Sequence, residues 1–263
     1  MCITALAWQL LPDRPVFLLS NRDEFYARAA APLGEWVDSC IIAGQDCVSQ
    51  GTWLGMTKQG RWAVLTNYRE PPSQDSHDRS RGLLVTDYLH SDQTPMAFAK
   101  ALAAHHNYAG FNLIVGDLKQ AVVFSNSGTA PTVLASGVYT LSNGLIEDAW
   151  PKMERLRLRV MQEVLPTMLH TQAGQALPDS VVDSALHLLT DRIQAEDHAL
   201  PLTGVSPTWE KALSSVFIQT PLYGTRVSSI LTLDTQGYEF IEKTHVPDSP
   251  QSIVKKTGYW PES

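Results

Sequence analysis

The stretch MCITALAWQLLPDRPVFLLSNRDE, residues 1–24, decides the fold. Two nearly continuous apolar runs, Ile3 to Trp8 and Val16 to Leu19, flank Pro12-Asp13-Arg14-Pro15, four residues that favour a turn. A strand wetted on one face alternates polar and apolar residues, so continuous runs point to strands covered on both faces. The short turn makes the pair antiparallel. If the hairpin is centred between residues 13 and 14, paired residue numbers sum to about 27 and Cys2 lies opposite roughly residue 25. Beside that position sits Ser20-Asn21-Arg22-Asp23-Glu24, and a slip of two or three residues still leaves this polar cluster facing Cys2.

The rest of the chain repeats the pattern. Trp62 to Leu65, Phe111 to Val115 and Ala121 to Phe124 are further apolar runs, and Lys58-Gln59-Gly60 and Asp117 to Gln120 are hairpin-sized turns. Helical stripes fall at Arg81 to Leu89 and Pro95 to Ala104. Two more are Met153, Leu156, Val160, Met161, Val164 and Leu165 behind Pro151, and Val181, Val182, Ala185, Leu186 and Leu189. Strands are expected again at Val216 to Gln219, Val227 to Leu233 and Tyr238 to Glu242. Antiparallel sheets covered by each other on one face and by helices on the other satisfy this order. The expectation is an α+β fold, a four-layer αββα sandwich of two antiparallel sheets, in one domain spanning residues 1–263.

Composition narrows the function. With 44% hydrophobic and 18% charged residues among 263, the chain can bury a core and is not disordered. A net charge of -7 argues against nucleic-acid binding. Arg79-Ser80-Arg81 reads as a solvated helix start rather than an anion site. No apolar run is long enough to span a membrane, and Ile3 to Leu11 lacks the basic lead of a signal peptide. Three cysteines make no disulfide framework, which places the protein in a reducing, cytoplasmic compartment. Cys40 and Cys47 are spaced too far apart for metal ligation and read as ordinary buried thiols. His105-His106 read as a helix C-cap, and the SxxK string at 252–255 as chance. There is no nucleotide-binding glycine loop, HExxH or GxSxG.

What remains is Cys2. Methionine aminopeptidases remove Met1 before a small residue, and a chain that starts with cysteine carries a nucleophile and a base together. Its α-amine, with a pKa of about 7.7 to 8.0, can accept the thiol proton.

Together, MCI-x-A, LLSNRDEFYARAAAPL, QGTWLGMTKQGRWAVLTNYRE, LSNG and LYGTRVSSIL resemble the NRDE family, the transport and Golgi organization protein 2 homologues. The resemblance runs from Cys2 to about Leu233, most of the chain, and that family is similar to N-terminal nucleophile hydrolases of the bile-salt and penicillin V amidase type. It implies the four-layer fold and a hydrolase acting on a linear, non-peptide C–N amide of a small molecule. It also implies roles: Cys2 as nucleophile, Asp23 holding its amine and thiol, and Asn67 in the oxyanion hole. Asn143 would fix the amine or also contact the oxyanion, and Arg226 would favour the thiolate. Because desolvation opposes a thiolate, the cleft is expected to keep Cys2 partly exposed. The amidases have arginine where this chain has Ser20. Arg22 either replaces that charge from a shifted position or faces solvent. Trp53, in GTWLG, either lines a substrate pocket or is a core aromatic. No cofactor is required by the hydrolase reading. The alternative is a binding or trafficking protein, haem- or lipid-related, with His105, His106 or Cys2 as haem-ligand candidates.

Overall fold

The computed structural model describes residues 2–70, 79–104, 108–245, 247 and 252–261. The opening hairpin is β1 (Cys2–Leu11) and β2 (Arg14–Phe25). Its register is Cys2↔Arg22, Ala5↔Leu19 and Trp8↔Val16, then Leu11↔Arg14 beyond a bulge. Paired numbers therefore sum to 24 below the bulge and 25 above it, against the expected 27 or so. Two features account for the difference. The chain reverses at Pro12-Asp13, one residue early, and β1 carries one extra residue in the bulge. Asp13 and Gln9 take left-handed φ angles of 56° and 51°, which such a tight reversal and a bulge require.

The hairpin lies inside a six-stranded antiparallel sheet, ordered β10 (Gly137–Leu141), β1, β2, β11 (Tyr223–Leu233), β12 (Gly237–Thr244), β13 (Ser252–Tyr259). The second sheet runs in chain order: β3 (Ala30–Glu35), β4 (Ile41–Asp46), β5 (Leu54–Thr57), β6 (Trp62–Asn67), β7 (Phe111–Gly116), β8 (Ala121–Ser125), β9 (Thr132–Val133).

Three apolar clusters define the layers. Leu6, Trp8, Val16, Leu18, Leu231 and Phe240 of the first sheet meet Ile42, Met56, Trp62, Val64 and Ile114 of the second. The opposite face of the first sheet, Ile3, Ala5, Phe17, Leu19 and Ile230, packs on α3 (Pro151–Arg159) and α5 (Asp179–Leu189). The outer face of the second sheet, including Ile41, Ala63 and Leu113, packs on α1 (Gly82–His90) and α2 (Pro95–Ala103). Helix, sheet, sheet, helix is thus the order, and burial on both faces is why these strands lack alternation.

The third helical stripe is not one regular helix. After α3 the chain widens into a π-helical turn at Val160–Val164, where the Leu165 N–H reaches Val160 O, and continues as α4 (Leu165–Met168). Pro166, which lacks an N–H and crowds the preceding turn, is the local cause. α6 (Pro207–Ala212) precedes β11.

Two further expectations fail. Val216 to Gln219 is not a strand: it runs beside the start of β11 with only an isolated bridge, Gln219↔Gly224, before the chain reverses. Cys40 and Cys47 are exposed rather than buried, because they sit in the turns at either end of β4. His105 and His106 lie outside the described residues. No helix among the described residues is long and apolar enough to cross a membrane.

Candidate active site

Alternation along β2 sorts its residues between two layers. Phe17 and Leu19 face the helices, while Val16 and Leu18 face the other sheet. With a period of two, Asn21 and Asp23 follow the helix side, and Ser20 and Arg22 the sheet–sheet side. Asn21 Nδ2 accordingly donates to the carbonyls of Leu189 at 2.8 Å and Val216 at 3.0 Å.

Cys2 begins β1 opposite Arg22. Its carbonyl accepts from Ser142 Oγ at 2.9 Å, and the Asp23 backbone N–H donates to its thiol. Asp23 Oδ1 accepts from Thr225 Oγ1 at 2.6 Å, and Tyr223 Oη donates to the Asp23 carbonyl at 3.0 Å. Cys2, Arg22, Asp23, Trp53 and Asn67, with the start of α1, line one cleft. α1 can approach because residues 51 and 82 are both glycine: a Cβ on Gly51 would stand 2.4 Å from the Gly82 carbonyl carbon.

Arg22 is buried rather than facing solvent. Its Nη2 donates to Asp46 Oδ2 at 2.7 Å, and its guanidinium lies over the Trp53 ring, 4.4 Å from the centroid. Trp53 is buried, 6% exposed, and borders the cleft. Against the burial that raises it, hydrogen bonds from Arg28 and the Ser49 N–H, with the Arg22 charge, keep Asp46 below the usual carboxylate range.

Asn143 reaches the site indirectly. Its Nδ2 donates to the Asn67 carbonyl at 2.8 Å, its Oδ1 accepts from Ser142 Oγ at 3.2 Å, and the residue borders a neighbouring groove with Trp150. Arg226 does not join them. It is not among the residues lining the cleft: it sits in a bulge between Thr225 and Val227, and its Nη1 donates to the carbonyls of Phe25, at 3.2 Å, and Arg28. It braces the turn between β2 and β3, and the arginines whose charges act on the thiol are Arg22 and Arg81, both in the cleft lining.

The thiol also departs from expectation. Cys2 is 7% exposed, and burial pushes it up, with Asp23 adding to the rise and the N-terminal ammonium and Arg22 opposing it. Burial likewise raises Asp23, against the N-terminal ammonium, Lys152, the Thr225 hydrogen bond and Arg69. The sequence reading missed the buried charges behind Asp23. Lys152, 2% exposed, donates to Leu213 O at 2.9 Å, and burial lowers it to about 8. Arg69 Nη1 meets Glu210 Oε2 at 2.6 Å. Lys152 stands in the apolar stripe of α3 next to Met153, and a charge on a core-facing position was the available signal.

A family model described as Transport and Golgi organisation 2 matches residues 1–247. The chain belongs to this family. It is 35% identical over 262 residues to the Transport and Golgi organization protein 2 homolog of Homo sapiens, covering 93% of this chain and 89% of that one. To Transport and Golgi organization protein 2 of Drosophila melanogaster it is 27% identical over 268 residues, covering 92% and 90%. The structure resembles a mutant of conjugated bile acid hydrolase from Clostridium perfringens with a TM-score of 0.52 and 8% identity, over 99% of this chain and 97% of that one. This Transport and Golgi organisation 2 family member therefore has the fold of N-terminal nucleophile hydrolases.

Proposed function

We propose that the chain is a cysteine hydrolase of the N-terminal nucleophile type, cleaving a linear, non-peptide C–N amide once Met1 has been removed. The observation that carries this reading is the meeting of Cys2, Asp23 and Asn67 in one cleft, with Asn143 tied to Asn67.

A buried, protonated thiol fits a mechanism in which the proton leaves only as the attack occurs. The freed α-amine, held by Asp23, takes the thiol proton while sulfur bonds to the amide carbon. The carbonyl oxygen becomes an oxyanion, to which the Asn67 side chain donates. Collapse breaks the C–N bond, and the ammonium returns its proton to the leaving amine. Water, activated by the same amine, then hydrolyses the thioester. Asn143 acts as a positioning residue by holding the Asn67 backbone.

Intact mass of untagged protein, followed by an amide screen on wild type and Cys2→Ala, tests the reading. The expected result is a mass lacking Met1, amide turnover that Cys2→Ala abolishes, and an acyl adduct on Cys2. Full retention of Met1, or turnover that survives Cys2→Ala, overturns it.

A further inference from the structure

Behind the cleft, four buried polar atoms have no hydrogen-bond partner among the described residues: Ser20 Oγ, Arg22 Nη1, Ser229 Oγ and Glu242 Oε2. They are not scattered. Ser20 pairs with Ser229 in the ladder and Ser229 with Glu242, so three adjacent strands carry a polar row. It continues the face that holds Leu18, Leu231 and Phe240 in the layer between the sheets, and Arg22 is the next residue of β2 on that face. A buried polar atom left without a partner in an apolar layer is destabilising.

Glu242 Oε1 is occupied, accepting the Leu33 N–H at 2.8 Å. Oε2 lies 3.0 Å from the point where a Cβ on Gly44 would stand, and the edge of the Trp53 ring lies 2.7 Å from that same point. Carboxyl and indole thus meet over a glycine that leaves them room. Arg22 sits on the face of the same ring, so a cation and an acid both lie against Trp53.

We propose that Glu242 is a positioning residue for Cys2: its carboxyl competes with Asp46 for the Arg22 guanidinium across Trp53, and so sets how strongly that cation acts on the thiol. The inference rests on the reading of Cys2 as the reactive group. Arg22 is the charged side chain that acts on Glu242. The other elements packed against Glu242 bring the Leu33 N–H from β3, Ser229 from β11, Val254 from β13, and Gly44 and Trp53 from the facing sheet. Burial raises Glu242 to about 7, against the Leu33 hydrogen bond and the Arg22 charge. Below that pH the acid is neutral and Arg22 belongs to Asp46 and the cleft. Above it the carboxylate draws Nη1 inward, and the thiolate of Cys2 loses part of its stabilisation.

The test is the rate of Cys2 alkylation by iodoacetamide between about pH 5.5 and 9.5, with exposed Cys40 and Cys47 as internal references. Glu242→Gln is expected to label Cys2 about threefold faster than wild type near pH 8.5 and equally near pH 6, with both references unchanged. Glu242→Asp, which restores the charge, should return the wild-type profile. In an Arg22→Gln background the Glu242→Gln effect should vanish. Arg22→Gln alone should also lessen the damping of the rise above pH 7, leaving only the part due to Lys152, which loses its proton near pH 8, a comparison that needs no folded Glu242 variant. Superimposed profiles for wild type and Glu242→Gln, or an undiminished effect without Arg22, overturn the proposal. Labelling needs no turnover, so an absent amide activity would defeat the hydrolase reading and leave this coupling standing.

Discussion

Replacing Lys152 by Met puts a number on the buried charge behind the cleft. The ammonium is 2% exposed, and burial brings its pKa from 10.5 to about 8, net of the attraction of Asp23, Cys2 and Glu210. At 1.36 kcal/mol per unit, that depression amounts to about 3 kcal/mol opposing folding at pH 7. Met fills a similar volume without the charge, but leaves the Leu213 carbonyl without its donor, at a cost of about 1–3 kcal/mol. The variant is therefore expected to match wild type in unfolding free energy at pH 7 or exceed it by up to about 2 kcal/mol. The sign of the pH dependence discriminates further. Folded Lys152 loses its proton near pH 8 and unfolded lysine only near 10.5, so the native state binds fewer protons between them. Wild-type stability must rise relative to the variant through that window, closing the gap. Urea unfolding of both proteins near pH 7 and pH 9.5 measures this, and alkylation of Cys2 should slow in the variant because a cation near the thiol is gone. A gap that does not change with pH, or a variant more than about 3 kcal/mol less stable at pH 7, would refute the reasoning.

Three other outcomes follow from the geometry. Arg226→Ala should leave Cys2 alkylation within about twofold of wild type while lowering the unfolding free energy by about 1–2 kcal/mol, since the Phe25 and Arg28 carbonyls lose a donor. Glu210→Gln removes the counter-charge of buried Arg69 and should cost about 3–5 kcal/mol in denaturant unfolding, whereas Glu35→Gln, at the exposed pair with Lys58, should be silent. Burial, with Lys243 and Arg192, lowers His245 to about 4, so the native state refuses a proton that the unfolded chain accepts from about pH 6.5 downward. Stability should fall as pH drops from 6.5 toward 4, and His245→Asn should flatten that part of the curve in thermal melts.

The parts of the fold that were legible are those where burial marks the sequence directly. Ile3 to Trp8 and Val16 to Leu19 announce strands covered on both sides because apolar residues occupy both parities. The register was three residues off because neither the bulge at Gln9 nor a reversal at Asp13 has a strong local signature; both depend on left-handed φ at residues other than glycine. β3 and β4 escaped notice, being short strands interrupted by glycines, of which Gly44 leaves room for the Trp53 ring. At the site, proximity in sequence gave Asp23 and Arg22. Asn143 depends on β10 pairing with β1 across more than a hundred residues, a long-range choice that no local pattern encodes. Arg226 sits in a bulge that no local pattern announces, and Lys152, Arg69 and Glu242 went unseen because a buried charge looks like a surface charge until its surroundings are known.

The alternation of β2 has a consequence for chain length. Between the reversal at Asp13 and Asp23 the strand works as a ruler with two interleaved scales, odd residues read by the helices and even ones by the facing sheet. Deleting one residue from Val16 to Leu19 would exchange the scales, sending Asn21 and Asp23 into the layer between the sheets and Arg22 toward the helices. No single point substitution could repair that exchange. Insertions and deletions in relatives should therefore gather at Pro12-Asp13 or in the Gln9-Leu10 bulge, the two places where the count can change without transposing the site.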